Sequence, residues 1–531
     1  MAIKRYFASK DNTITNAFKP DLSTRATASN MGLSDVLEVF SIYGQASSSS
    51  GLTTEEARVL ISFPTTDMAT DRTNGVIPAS GSVSFYLKMY NADHGQTLPQ
   101  NYYMEVKAIT GSDANSRDWE EGFGLDMESY SDSTQDSTGS NWINRVASSS
   151  VGTHAWTTAG GDYVNPNTDL SSSFTQYFDD GTEDLEIDVT TLVEQWLSSS
   201  ANSETATNMG LKQNYGVGVM VSSSHASESR SFYTKKFFAR SSEFFFKRPI
   251  LEARWDSRDR DNRGNFIYSS SLATADENLN KIYLYNYFRG QLRNIPSVGT
   301  GNIYVSFFSG SADDSAPSGS ALQLVVDGTH VTHANRNTVV TGSYSSTGIY
   351  TASVALTAAT TPLTTAYDVW FKGGDAVADA SEDSTQYHTG SVKPQTLESY
   401  NVAPSDKYAT NITNLKAVYS TSETARFRVF VRAKDWCPTI YTVASKAAEN
   451  TEIESGSYKV FRVVDELDVV PYGTGSDLHT AMSYDMSGNY FDLDMSMLKE
   501  DYMYGIKFTY YNNSIGDWVE QPEVFKFRVE K

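Results

Sequence analysis

The chain has 531 residues and carries 42 lysines and arginines against 64 aspartates and glutamates, a formal charge of −22. Such an acidic surface repels nucleic-acid phosphates and anionic lipid, which argues against both as partners. The single cysteine excludes an intramolecular disulfide framework. No run of about 18 apolar residues and no apolar signal-peptide core is present, so we expect no membrane insertion and synthesis in a bacterial cytoplasm without a signal peptide.

The composition favours strands throughout. Aromatic residues make up 12% of the chain, with 32 tyrosines, and small polar residues fill the segments between them. Aromatic and β-branched residues favour strands and small polar residues favour turns, so we predict an all-β protein. The charged run from Asp256 to Asn265 is the expected domain boundary. We therefore expect one large β-sandwich over residues 1–256, followed by smaller modules over residues 266–395 and 400–531.

Alternation defines the first strands of the large domain. Residues Val59 to Phe63 alternate between apolar and polar side chains, and Pro64 is expected to end that strand. A second strand is predicted over residues 83–89. The stretch from Ser129 to Ser150 is rich in Ser, Asp, Thr and Gly with little periodicity, which predicts a long surface loop.

One short helix interrupts the strands near the end of this domain. Its apolar residues recur at helical spacing: Leu192, Val193, Trp196 and Leu197. Thr191 and Glu194 stand in capping-box spacing at its start. An alternating strand follows from Tyr215 to Val219, and a closing strand runs from Ile250 to Trp255 after the Arg248-Pro249 pair.

The second half of the chain contains two sets of strands. The first set is predicted at Ile282–Phe288, Ile303–Phe308, Leu322–Val326 and Tyr367–Phe371, and the second contains "ARFRVFVRA", "YKVFRVV", "YGIKFTYY" and "EVFKFRVEK". The segments "YSSTGIY" from Tyr344 and "YDMSGNY" from Tyr484 share their Tyr and Gly positions. The apolar phase that follows differs between them, and a β-bulge would account for the difference. This echo favours two immunoglobulin-like β-sandwich modules.

Ordered motifs across residues 1–256 resemble those of DNRLRE-type domains. The motifs are Arg58, Leu60 and Phe63 in one strand, Trp119-Glu120, a further tryptophan at Trp142, Asp188 to Thr190, Trp196, Asn214 to Gly216, and the Arg248-Pro249 closing strand. The usual "S-R-E" segment before the last strand is met only loosely, by residues 238–241. The resemblance implies a jelly-roll-like β-sandwich of a surface or extracellular protein that binds or builds and seldom catalyses.

The whole chain resembles virion structural proteins of tailed phages of marine bacteria, especially contractile-tailed cyanophages. The opening "IKRYFASKDNTITNAF", the missing signal and the sandwich-plus-modules order carry this resemblance. It implies a structural protein of the head, neck, tail or fibre, located in the virion. The partners it implies are other virion proteins and further copies of the same chain.

Paired carboxylates are candidates for acid/base hydrolysis of glycans, which needs two of them about 5–10 Å apart. Asp118, Glu120 and Glu121 flank Trp119, and Asp492 and Asp494 share one face of a strand. Residues at i and i+2 of a strand point to the same face and are usually solvated. We therefore expect no catalytic residues here and a protein that is not an enzyme.

Calcium is the only cofactor for which the sequence offers candidates. Oxygen ligands cluster in "FDDGTEDLEID", where the candidates are Asp179, Asp180, Glu183 and Asp184, and more weakly in "GSADD" at Asp313 and Asp314. Neither segment follows the spacing of a calcium loop, and acidic turns are common in so acidic a chain. Of the seven histidines only His330 and His333 are close, and Cys437 has no histidine near it in sequence. We expect neither a transition-metal site nor a cysteine nucleophile.

Two aromatic clusters are candidates for interfaces. Phe244, Phe245 and Phe246 follow one another, so they cannot all face one core. Tyr283, Tyr285 and Tyr287 alternate in "YLYNYF". Both clusters have two readings, burial in a core or contact with another subunit.

Three functions remain open from sequence. The leading one is a structural virion protein, and the alternative is an adhesin or receptor-binding module for host-surface glycans. A polysaccharide-degrading enzyme is the third, and it would depend on Glu120 or Glu121.

Overall fold

The structure is a computed structural model. It describes residues 2–48, 51–95, 98–111, 118–125, 139–148, 152–198, 213–325, 336–358, 361–373, 377–397, 407–435, 439–440 and 450–531. Strands make up 43% of the model and helices 7%, which confirms the all-β, multi-domain sandwich prediction. No helix in the described ranges is long and apolar enough to cross a membrane.

Internal contacts divide the chain into two compact units. The first unit contains Ala2–Asp256 with Gly475–His479, and the second contains Ser257–Thr474 with Thr480–Lys531. The further division of the second unit into modules over 266–395 and 400–531 stays a prediction.

The first unit has thirteen strands and three α-helices in its described residues. The strands are β1 (Ile3–Phe7), β2 (Lys10–Thr15), β3 (Val36–Ser48), β4 (Gly51–Ser62), β5 (Ser84–Met89), β6 (Tyr102–Ala108), β7 (Asn144–Ser148), β8 (Gly152–Ala155), β9 (Ser173–Phe178), β10 (Leu185–Asp188), β11 (Val217–Val221), β12 (Phe232–Phe238) and β13 (Ile250–Arg254). The helices are α1 (Thr65–Thr73), α2 (Thr190–Ser198) and α3 (Ser223–Ala226).

Two antiparallel sheets enclose the main core of the first unit. One sheet has the order β1-β13-β5-β10, and the other has the order β12-β3-β4-β11-β6-β9 with β2 paired to β4. Buried residues of both sheets meet in one cluster, for example Leu87 and Leu251 from the first sheet with Val59 and Val106 from the second. Helix α2 adds Leu192 and its neighbours to this cluster, so the apolar face read from sequence is buried as predicted.

Strand β4 faces two different cores. Val59 and Ile61 point into the core between the sheets, whereas Leu60 belongs to a second cluster. Successive side chains of a strand point to opposite faces, so one strand can serve both. The second cluster contains three tryptophans among its buried residues, which are Ile14, Leu60, Ile109, Trp119, Trp142, Trp156 and Tyr215.

Three local predictions for the first unit were wrong. Helix α1 begins directly after Pro64 and is not predicted from sequence. Met68 is its only buried residue, so the segment shows no apolar periodicity. Glu194 makes no capping box; it accepts two hydrogen bonds from Arg72, at 2.8 and 2.6 Å. Part of the predicted surface loop forms strand β7, which pairs with β8.

The second unit contains nineteen strands in its described residues. They are β14 (Asn280–Tyr285), β15 (Tyr287–Phe288), β16 (Gln291–Leu292), β17 (Ile303–Gly310), β18 (Pro317–Ser318), β19 (Val340–Ser346), β20 (Ile349–Val354), β21 (Ala366–Phe371), β22 (Gln386–Val392), β23 (Tyr408–Ile412), β24 (Val418–Ser420), β25 (Thr424–Ala433), β26 (Gly456–Arg462), β27 (Asp468–Val470), β28 (Ser483–Asp485), β29 (Gly488–Asp494), β30 (Met503–Asn512), β31 (Asp517–Glu520) and β32 (Phe525–Glu530).

Strand pairing in the second unit is local to each half. Strands β14, β20, β19, β17, β21 and β22 form one sheet in that order, with β18 paired to β17. The later strands form a sheet ordered β23-β25-β29-β28 and another ordered β24-β32-β30-β26-β27, with β31 paired to β30. Within residues 322–325 the predicted strand forms an isolated bridge between Leu324 and Leu356, and Val326 lies outside the described residues.

The repeated segment lies on a hairpin in both halves. Strands β19 and β20 pair Tyr344 with Tyr350, while β28 and β29 pair Tyr484 with Asn489. The register of the first hairpin shifts between Tyr344 and Ser346, as a bulge does. No such shift occurs in the second hairpin, which explains why the apolar phase differs after the shared tyrosine.

Candidate functional site

Two of the three candidate carboxylates beside Trp119, those of Asp118 and Glu121, are held by basic side chains. Asp118 pairs with Lys10, whose ammonium also donates to the Trp119 carbonyl at 2.8 Å. Arg240 donates to both oxygens of Glu121 at 2.5 Å, and the Asp11 amide donates to the same carboxylate at 2.9 Å. These contacts tie residues 118–121 to the β-sandwich. The carboxylates of Asp118 and Glu121 therefore hold this segment in place, because their oxygens already bind cations of the fold.

The second carboxylate pair is also occupied. Asp492 accepts hydrogen bonds from Arg426 across the β25–β29 pair, at 2.8 and 2.9 Å. Asp494 accepts from the Ser496 amide at 2.9 Å and so caps a short 3₁₀ turn. The two residues therefore have separate local roles.

The turn proposed for calcium is organised around a lysine. The ammonium of Lys235 donates to the Gly181 carbonyl at 2.8 Å and to the Glu183 carbonyl at 2.7 Å. It also donates to Asn91 Oδ1 at 2.7 Å, so each of its three protons has an acceptor. Three oxygens that could face a metal ion thus face an ammonium group instead.

The calcium-candidate side chains bind backbone amides of the same region. Glu183 Oε1 accepts from the amides of Asp179 and Asp180, both at 2.7 Å. Asp184 accepts from the Asn91 amide at 2.7 Å. Such bonds are typical of a carboxylate that closes its own turn.

The remaining metal candidates are local as well. Asp313 accepts from the hydroxyls of Ser311 and Ser315 at 2.7 and 2.8 Å, beside Asp314, which has a positive φ of 52°. Within the ranges that the structure describes, no group of three or more His, Cys, Asp or Glu side chains could hold a metal ion. His330, His333 and Cys437 lie outside the described residues.

The phenylalanine cluster is partly exposed. The ring of Phe244 is 54% exposed and contacts Phe238 edge-on, with 5.4 Å between centroids. Phe245 and Phe246 are half-buried; Phe245 packs against Phe7 at 5.1 Å. Of the three, Phe244 is therefore the one that offers its ring to another molecule.

The tyrosine cluster is divided between core and surface. Tyr283 is buried at 2% exposure, and Tyr285 is half-buried with its ring 6.1 Å from that of Tyr283. Tyr287 is 62% exposed and the adjacent Phe288 is 53% exposed. The prediction of an interface thus concerns Tyr287, because Tyr283 has no ring surface to offer.

A cleft of about 320 Å³ opens on the seven-stranded sheet of the first unit. Its lining comes from strands β3, β4, β6 and β11, from one tyrosine and from the region of α3: Phe40, Ser41, Glu56, Ala57, Arg58, Glu105, Lys107, Tyr163, Met220, Val221, Ser223, Ala226 and Ser227. The volume lies near the lower end of the range for small-molecule sites, about 300–1,000 Å³.

Two ion pairs make the cleft electrically neutral. Arg58 Nη2 lies 2.7 Å from Glu56 Oε2 on β4, and Lys107 pairs with Glu105 on β6. Each pair has i, i+2 spacing, so both partners point to the same face of their strand. The cleft therefore contains two negative and two positive groups, although the whole chain carries a charge of −22.

Tyr163 forms an aromatic wall of this cleft. Its hydroxyl donates to the Gly160 carbonyl at 3.0 Å, and burial raises its pKa to about 12, so it stays neutral. Its ring lies against Gly218, where a Cβ atom would come within 2.1 Å of the ring. Arg58 stands 5.8 Å from the ring centroid and donates to the same Gly160 carbonyl at 2.9 Å. The glycine thus leaves the space that the tyrosine fills.

Ser41 is a polar residue of the cleft whose hydrogen bonding is incomplete. The residue is 1% exposed, and its hydroxyl oxygen is buried with no hydrogen-bond partner. It stands opposite Glu56 in the β3–β4 ladder. An unsatisfied buried polar group costs about 1–3 kcal/mol, and a ligand group that reached this hydroxyl would remove that cost.

Sequence reasoning did not identify Ser41, Glu56, Glu105, Lys107 or Tyr163. One signal was available: opposite charges stand at i and i+2 in two short segments, each around an apolar or small residue, "EAR" at Glu56 and "EVK" at Glu105. Such pairs put both charges on one sheet face. That the two strands lie close, separated only by β11, is a property of the sheet order.

No family model matches the chain, and no curated protein matches it. Among solved structures, the chain is similar to the crystal structure of a Salmonella alpha-2-macroglobulin reacted with methylamine, at 7% sequence identity and a TM-score of 0.14. The alignment covers 99% of this chain and 26% of that chain, so this chain spans about a quarter of the length of the matched structure. A similarity of this size assigns neither a fold nor a function.

Proposed function

We propose that the protein is a non-enzymatic structural component of a tailed-phage virion, in which β-sandwich domains mediate assembly and surface display. Its partners would be other virion proteins and further copies of this chain, at the head, neck, tail or fibre. The sequence resemblance supplies the class of particle. The observation that supports an assembly role is an exposed aromatic hairpin in the second unit.

That hairpin is formed by β15 and β16. Arg289 and Gly290 connect the strands with φ angles of 52° and 79°, the left-handed pair that a tight two-residue hairpin needs. Tyr287 and Phe288 are more than half exposed on it. The guanidinium groups of Arg289 and Arg293 lie 5.3 and 5.6 Å from the Phe288 ring. Aromatic and arginine side chains are enriched where protein surfaces meet.

The roles of the acidic candidates support a non-catalytic reading. Asp118, Glu121 and Asp492 are each bound by a lysine or arginine that anchors a strand or a covering segment. A general acid or base would need a proton-transfer partner and access to substrate. These carboxylates are used instead to hold segments of the fold together.

Light scattering after gel filtration tests the assembly role. We expect a stable trimer or larger ring for the unmodified chain, and a smaller species for the double variant Tyr287→Ser, Phe288→Ser. The matched control is Ile515→Ser, at a side chain 65% exposed in a different turn of the same unit. A chain that is monomeric at every concentration, or a double variant with unchanged mass, would contradict self-assembly through this hairpin.

Particle analysis tests the virion assignment separately. Peptides of this chain are expected in phage particles purified by density gradient from lysed cultures of the host that carries the gene. Their absence from intact particles, with the protein left in the soluble fraction, would remove the virion proposal.

Glycan binding is the second candidate function, and the neutral cleft of the first unit favours it. A glycan array probed with and without a chelator separates this function from scaffolding. Specific binding would support an adhesin or receptor-binding module, and loss of binding with the chelator would bring calcium back into consideration.

A further inference from the structure

The cleft on the seven-stranded sheet contains the elements of a small-molecule site. It joins an apolar surface at Met220, an aromatic wall at Tyr163, and four charged groups in two neutral pairs. Small-molecule sites generally combine mostly apolar walls with a few convergent polar groups. The arrangement of these groups determines which class of ligand the cleft would accept.

The charges argue against an ionic ligand. Glu56 and Glu105 each already neutralise a cation, and Arg58 spends a further donor on the Gly160 carbonyl at 2.9 Å. A ligand with a net charge would have to compete with an existing ion pair and leave one charge without its partner, which is costly in a partly buried site. A neutral ligand can instead donate to carboxylate oxygens that retain unused lone pairs.

The cleft has a polar part and an apolar part, so a matching ligand carries hydrogen-bonding groups on one side and apolar groups on the other. Ser41 offers a buried hydroxyl without a partner, and Ser223 and Ser227 border the cleft as further small hydroxyl residues. Met220 and the ring of Tyr163 border the same cleft as apolar groups, and the tyrosine hydroxyl is already bonded to the Gly160 carbonyl. A pyranose ring fits this description, because it carries hydroxyls at its edge and C–H groups on its face.

We propose that the cleft binds a neutral saccharide unit, with the Ser41 hydroxyl and the carboxylates of Glu56 and Glu105 meeting sugar hydroxyls and with Met220 and Tyr163 against the ring. The inference rests on the second candidate function and gives it a location and a ligand class. It is independent of the hairpin in the second unit, so the mass measurement and the binding measurement can fail separately.

Saturation-transfer NMR on the full chain tests the proposal. The probes are the neutral disaccharides maltose, lactose and cellobiose, with sialyllactose as the anionic comparison. We expect transfer to at least one neutral disaccharide and weaker binding of sialyllactose than of lactose. Absence of transfer to all three neutral sugars, or tighter binding of the anionic one, would overturn the proposal.

The substitution Ser41→Ala locates the binding. It removes one hydrogen bond to the ligand, so we expect affinity for the neutral sugar to fall about 2- to 10-fold. Thermal stability should stay the same or rise, because an unsatisfied buried hydroxyl is lost from the free protein.

Ser231→Ala is the matched control. Ser231 is also fully buried in the first unit with an unpartnered hydroxyl, yet it does not line the cleft. Its variant should bind as the unmodified chain does. Equal affinities for the two serine variants would show that the sugar binds elsewhere and would reject this site.

Discussion

Lys235 shows how a single buried charge organises a turn of the first unit. Its side chain is fully buried, and its ammonium lies 5.1 and 5.5 Å from the rings of Phe178 and Phe237. Burial lowers the pKa of this lysine to about 8, which leaves the group mostly protonated at neutral pH. The charge is tolerated because three oxygens and two ring faces replace its water shell.

We expect Lys235→Met to lower the free energy of unfolding of the first unit by about 3 kcal/mol. The apolar stem is retained, but the acceptors at Asn91, Gly181 and Glu183 lose their common donor. Chemical unfolding followed by tryptophan fluorescence measures the change. Arg230→Met is the control, because this cation of the first unit is exposed and its loss should change stability by less than about 1 kcal/mol. Equal effects of the two substitutions would contradict the role given to the buried ammonium.

At the scale of the element, the strands follow the local alternation of apolar and polar residues, whereas the segments that cover the sheets do not. Strands β5, β11 and β13 lie where apolar residues were read, because each strand needs only its own pattern to show which face is buried. The repeated hairpins show the limit of that reading. The apolar residues follow different phases in the two hairpins because the first hairpin contains a bulge. No pattern of neighbouring residues predicts that bulge.

The packing of Tyr163 on β11 gives a prediction at this scale. We expect Gly218→Ala to displace the tyrosine ring, because the new methyl group would lie 2.1 Å from it. The cost should be about 1–3 kcal/mol, typical of overpacking in a well-packed site. A shifted tryptophan emission should accompany it, since Tyr163 packs against the cluster containing Trp142. Gly95→Ala is the control, because nothing lies within 4 Å of its added methyl. A native emission spectrum for Gly218→Ala would refute this account.

At the scale of the whole molecule, buried carboxylates couple stability to pH. Burial raises the pKa of Asp11 in the first unit to about 7. In the second unit burial raises the pKa of Asp261 to about 6, and burial together with the charge of Asp261 raises that of Glu452 to about 7. Between about pH 4 and 7 these groups bind protons in the folded state that the unfolded chain has released, so their contribution to stability falls as pH rises.

Other groups titrate differently. Carboxylates whose pKa is lowered, such as Glu186 and Asp477, titrate below the ordinary carboxyl range and are ionised in both states above about pH 5. Burial lowers the pKa of His94 and His388, which makes stability rise with pH through the histidine range. A variant that removes one carboxyl titration separates these opposing effects.

We expect Glu452→Gln to stabilise the second unit at pH 8 by about 1 kcal/mol, discounted for partial exposure, and to have little effect at pH 5. At pH 5 the native carboxyl is already protonated, so the amide resembles it; at pH 8 the amide avoids a buried charge beside Asp261. Calorimetric midpoints at the two pH values measure the difference. Glu454→Gln, at an exposed neighbour, should change neither midpoint appreciably. A stabilisation that is the same at both pH values would contradict the linkage.

The amino-acid sequence by itself determined the all-β class, the buried face of α2 and core strands such as β5, β11 and β13, because these depend on periodicities within ten or so neighbouring residues. It also pointed to residues that would matter. It could not say how they would matter: Asp118 and Glu121, two of the carboxylates considered for glycan hydrolysis, are ion-paired with basic residues of the fold.

The tertiary structure alone decided the cleft, the tryptophan core and the cradle of Lys235. Each joins residues distant in sequence: Arg72 meets Glu194 at a separation of 122 residues, and Lys235 meets Asn91 at a separation of 144. Local patterns indicate which face of a strand is buried, but not which strand will lie beside it. Strand order and register set which charges pair, which serine is left without a partner and where a glycine makes room for a ring.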